Sequence, residues 1–108
     1  MTAPTARELL IKAVTMDLGF FHQGCQTPTF QEAMASLEES TPLQRLGYAA
    51  QGLRMWGQIV EVLTEEMVQN GGRMPPGKED KAAMVTGGRE CLAVFCEAYA
   101  ATLRELAP

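Results

Sequence analysis

Residues 41–70 read TPLQRLGYAAQGLRMWGQIVEVLTEEMVQN, and their spacing decides the fold class. Leu46, Ala49, Leu53, Trp56, Val60, Leu63 and Met67 recur at alternating steps of three and four residues. A turn of 3.6 residues brings such positions to one side, so the pattern is the seam of a helix packed lengthwise in a bundle. Gln51, Arg54, Gln58, Glu61 and Glu65 form a solvated stripe. Thr41 is placed to cap the first turn, Pro42 suits its first position, and Gln44 completes a capping box. Asn70-Gly71-Gly72 supplies a stop, and Met74-Pro75-Pro76-Gly77 a linker.

Working outward, the same signals predict three more helices. Over residues 5–21, Thr5 and Glu8 make a capping box, and Leu9, Leu10, Ala13, Val14, Met16, Phe20 and Phe21 share one broad face. Residues 22–29 contain Gly24 and Pro28 and read as a loop. A short helix follows over 30–40, with Thr29 and Glu32 as its box. The last spans about 78–106 with a seam of Leu92, Phe95, Tyr99 and Leu106. Gly87-Gly88 threatens to divide it, since each glycine costs about 1 kcal/mol against Ala. No segment alternates in polarity as a strand does. The expectation is all-α: a single domain over residues 1–108, an antiparallel bundle of four helices, or five if the glycine pair divides the last.

Composition agrees. The 108 residues are 46% hydrophobic and 20% charged, a globular balance. At 11.8 kDa such a chain exposes about 5,900 Å² when compactly folded, against about 17,000 Å² unfolded, so a core needs no disulfide or metal to support it. A net charge of −4 with singly scattered Lys and Arg argues against nucleic-acid binding by bulk attraction. The N-terminal residues lack a signal-peptide pattern, and no apolar run approaches the roughly 20 residues that span a bilayer. Three cysteines at irregular spacing suit a reducing cytoplasm better than a disulfide framework.

Asp17 is the oddest residue, lying between Leu10, Val14 and Phe21 in the apolar sector of the first helix. A buried carboxylate needs a partner or an opening to water. Either Asp17 is a possible buried polar site, or it pairs with Arg54, Arg89 or a Trp or Tyr donor; the pair is the stronger expectation. His22, Cys25, Cys91 and Cys96 have the residue types of a zinc site, and His22-x2-Cys25 has usable spacing. Cys91 and Cys96 differ by about 140° beyond a full turn, so they read better as buried small hydrophobes. With His22 the chain's one histidine, a Cys25 nucleophile has no other base, and no catalytic or metal-ligating residue is assigned. The glycine pairs follow no strand and include no Gly-x4-Gly-Lys-Ser/Thr, so they are turns or close contacts and not a phosphate loop.

Glu61, Glu65 and Glu66 make an acidic run. With the size and helical content it resembles the MazG-like all-α nucleotide pyrophosphohydrolases, which the resemblance would make magnesium-dependent hydrolases of nucleoside triphosphates. The chain departs from that family where a second Glu-x2-Asp element belongs, because Ala93 follows Glu90 and Ala100 follows Glu97 at that spacing. Half of the oxygen ligands for the ion are thus missing, and a solvated face explains the glutamates better.

The long helix carries a second apolar line, Tyr48, Met55, Ile59 and Val62, away from its seam. A helix apolar on two sides is either central in its own domain or shared with another chain. These four residues are therefore the candidate partner-binding face, and the expected partner is a second copy of the chain or another helical protein. The leading expectation is a cytoplasmic, non-enzymatic interaction or regulatory module, a homodimer without cofactor. The pyrophosphohydrolase is the alternative.

Overall fold

The computed structural model describes residues 2–22 and 28–107, and their side chains outside residues 20–30. The described residues form four helices and no strand: α1 Ala6–His22, α2 Pro28–Glu38, α3 Pro42–Gln69 and α4 Lys81–Leu106.

Local chemistry sets most boundaries. The Glu8 N–H donates to Thr5 Oγ1 at 3.1 Å while the Thr5 N–H donates to the Glu8 carboxylate at 3.4 Å, so the first capping box forms. Thr41 and Gln44 do the same at 3.2 and 2.9 Å ahead of Pro42. At the other end of α3 the Gly72 N–H reaches Met67 O at 2.8 Å and the Gly71 N–H reaches Val68 O at 3.4 Å. With Gly71 at φ +72°, this is a Schellman stop, in which the positive φ favours glycine.

Two starts differ from expectation. The helix α2 begins at Pro28, which puts Thr29 inside the first turn and not at the cap; a proline there gives up only an N–H that would be unpaired anyway. The Thr29 side chain itself lies outside the described ones. The helix α4 begins at Lys81 because residues 75–80 make consecutive tight turns, Lys78 N to Pro75 O and Lys81 N to Lys78 O, both 3.0 Å. Glu79 folds back on that turn, accepting from the Gly77 N–H at 3.1 Å. Bonds from its own N–H and from that of Gly77 hold its carboxyl below the usual range.

The core is centred on α4, which packs along both α3 and α1, whereas α1 and α3 meet only briefly and α2 lies against α1. Arg45 near the start of α3 bonds Glu105 near the end of α4 at 3.1 Å. Late in α3, Leu63 shares a small cluster with Val85 early in α4 and Met74 of the linker. The main cluster joins Leu10, Ala13, Leu37, Ala49, Trp56, Cys91, Val94, Phe95 and Ala98.

Gly87-Gly88 does not divide α4, so the five-helix variant is set aside for the described residues. A Cβ on Gly88 would stand 2.9 Å from the Trp56 ring, and one on Gly52 would stand 2.3 Å from the Phe95 ring. Each helix thus offers a glycine notch to the other's aromatic side chain. Ring burial offsets the poor helix propensity of the glycines.

The seam of α4 also needs correction. Of the expected seam Phe95 is buried, Leu92 and Tyr99 are half-buried and Leu106 is 41% exposed; the other buried residues are Val85, Gly88, Cys91, Val94, Ala98 and Thr102. A helix squeezed between two others needs small residues at its contacts, and Thr102 settles its hydroxyl by donating to Ala98 O at 2.7 Å. Arg45 is 5% exposed despite its charge, donating to Ser40 O as well as to Glu105.

Candidate functional site

Between α1, α2 and α3 lies a cavity of about 400 Å³. From α3 come Tyr48, Gln51, Gly52 and Met55, spaced by three and four residues so that successive turns line the same wall. Val14 and Asp17 enter from α1 at the same spacing, and Ala33, Ser36 and Leu37 from α2. Phe95 reaches the cavity from α4 beside Gly52, the notch that admits its ring.

Asp17 is half-buried and accepts a 2.6 Å hydrogen bond from the Trp56 indole N–H. Trp56 is fully buried, and a buried indole N–H requires an acceptor. The Trp donor is thus among the partners expected for Asp17. The same carboxylate lines the cavity, so it has both an internal partner and an opening. Its charge reaches further. The Cys91 thiol, fully buried and 3.6 Å from Ala13 O, is pushed up to about 12, first by burial and then by the negative charge of Asp17.

The second apolar line of α3 divides between two hollows. Tyr48 and Met55 line the cavity beside Asp17; Ile59 and Val62 line a shallower hollow of about 350 Å³ with Gln58, Leu63, Lys81 and Met84. Tyr48, Met55 and Val62 are 41%, 37% and 55% exposed. Ile59 is different: it is half-buried and packs against both core clusters.

Cys91 is buried as expected, but Cys96 is exposed, because the turn between them carries it to the opposite side of α4. Cys25 and the side chain of His22 lie outside the described residues. Glu61 and Glu65 are exposed, while Glu66 is half-buried and accepts from Lys78 at 3.2 Å. Among the described residues no three His, Cys, Asp or Glu side chains gather as a metal site would need, and Asp17 is the one carboxylate on the cavity wall.

Sequence reasoning missed Ser36 and Gln51 as cavity residues. Gln51 was assigned to the solvated stripe, and it is indeed exposed while lining the cavity. The available signal was Gly52 beside it: a glycine inside a long helix costs about 1 kcal/mol and marks a close approach. No protein-family model matches the chain, nor does any curated protein or solved structure. No described helix is long and apolar enough to cross a membrane.

Proposed function

We propose that the chain is a non-enzymatic interaction module, an antiparallel four-helix bundle that self-associates in the cytoplasm through the outer face of α3. One observation carries the reading. With α4 in the centre, no helix among the described residues covers the second apolar side of α3, and Tyr48, Met55 and Val62 stay open to solvent. The exposed surface of 6990 Å² exceeds the compact expectation by about 1,100 Å². A standard interface takes about 800 Å² from each partner. The radius of gyration, 15.4 Å against about 13 Å for a compact domain of this length, points the same way. The pairings of Arg45 with Glu105 and of Leu63 with Val85 support the antiparallel arrangement of α3 and α4. The free thiols of Cys91 and Cys96 suit a reducing compartment.

The test replaces Met55 and Val62 by Glu, sparing Ile59 because it belongs to the chain's own core. Light scattering should show the wild type as a dimer and the double variant as a monomer, with unchanged far-ultraviolet circular dichroism. A variant that unfolds would assign the face to the internal core instead.

A further inference from the structure

Beside the apolar line of α3 runs a flank that fits a second copy of itself best when the two helices run in opposite directions. Gly47, Arg54, Glu61 and Val68 recur every seven residues, which keeps them on one side of the helix. The first three immediately precede Tyr48, Met55 and Val62. All four are exposed, Val68 at 71%.

Within the described chain this flank is unused. Arg54 and Glu61 enter no ion pair among the described residues, and seven residues of helix, about 10.5 Å, are too long a gap for them to pair with each other. Glu61 stands four residues before Glu65, a like-charge spacing that works against the helix. Glycine is a poor helix former, and a Cβ on Gly47 would meet nothing within 4 Å. Unlike Gly52 and Gly88, then, Gly47 answers to no contact of its own chain.

We propose that two copies pair antiparallel along α3, about a two-fold axis between Gly57 and Gln58. Arg54 of each then meets the second copy's Glu61, and Val68 of each lies on the second copy's Gly47. The pairing rests on self-association through α3, as read above. Like flanks meet in antiparallel helices, and Arg54 with Glu61 has the same midpoint as Gly47 with Val68, so one axis serves both pairs. Opposite charges face each other, and an exposed valine covers a glycine, which lets the backbones approach. Parallel copies would set this flank against the other one, five residues on. Arg54 would then lie beside Ile59, and Glu61 beside Glu66, carboxylate against carboxylate.

Sedimentation equilibrium of charge variants tests the direction, with far-ultraviolet circular dichroism to check that these exposed sites leave the fold intact. Arg54→Glu and Glu61→Arg should each raise the dimer dissociation constant about tenfold, because each sets like charges face to face twice. Combined in one chain, the two changes restore opposite pairing and should return the constant to within about threefold of wild type. Gly47→Gln should keep the helix and weaken the dimer about tenfold, since its side chain takes the place of Val68. A tighter dimer with Glu61→Arg would mean parallel copies and overturn the proposal. So would single variants that pair as well as wild type, or a double variant no tighter than the singles. A wild type that stays monomeric at every concentration removes the self-association reading and the proposal together. A dimeric wild type that fails the charge swap removes the proposal alone.

Discussion

The contact of α3 with α4 and the contact of α3 with α1 and α2 are built from opposite materials. Against the middle of α4 the helix meets glycine, cysteine and alanine, and Trp56 and Phe95 enter glycine notches. Against α1 and α2 it presents Tyr48, Gln51 and Met55, and a cavity of about 400 Å³ stays open. Tight packing here comes from pairing the largest side chains with the smallest. Where side chains of middling size and mixed polarity face each other, the helices stand apart and an opening remains that a ligand or partner can use.

The sharpest way to break this contrast is Gly52→Ala. The new methyl would run into three ring atoms of Phe95, so the buried ring must shift toward the cavity it lines. Overpacking costs about 1–3 kcal/mol or more, and the gain of ~1 kcal/mol in helix propensity returns only part. A net loss of up to about 2 kcal/mol in chemical denaturation is expected, partly restored by adding Phe95→Leu. The next effect is at the seam of the two regions. Asp17→Ala leaves the buried indole N–H of Trp56 without this acceptor and should cost about 1–2 kcal/mol, while Asp17→Asn costs less.

Cys91 adds a dependence on pH. Its thiol is raised from 9.0 to about 12 in the folded chain, so the native state keeps the proton while the unfolded state releases it. The associated stability is complete below about pH 9 and is lost as pH rises from there toward 12, at about 1.4 kcal/mol per unit. The stability difference between wild type and Cys91→Ala, from denaturant midpoints at stepped pH, should therefore shrink as the solution becomes alkaline. A constant difference would mean the thiol titrates alike in both states. Smallest of all is Met55→Ala. On the open side of α3 it should change stability by no more than about 0.5 kcal/mol, far below Gly52→Ala one turn away.

The parts legible in the sequence were those set within a few residues. Thr5 with Glu8, Thr41 with Gln44, and Gly71-Gly72 all act through bonds to near neighbours, and their helix ends fall where read. The α3 seam was legible in part: Ala49, Trp56 and Leu63 are buried, Leu46, Leu53, Val60 and Met67 are half-buried, and the buried Arg45 and Gly52 lie outside the expected line. The buried face of α4 was legible only at Phe95 and Cys91, because Gly88, Ala98 and Thr102 owe their place to smallness, which a hydrophobic seam does not score. Of the site, Asp17 and a Trp donor were anticipated. That Tyr48 and Met55 open beside that carboxylate, while Ile59 turns into the core, depends on how three helices meet.

The most direct measurement of the central claim, that the outer face of α3 joins two copies of the chain, is sedimentation equilibrium of the wild type over a wide concentration range. The predicted mass approaches twice 11.8 kDa at high concentration and falls toward 11.8 kDa on dilution. A constant 11.8 kDa at every concentration would contradict self-association.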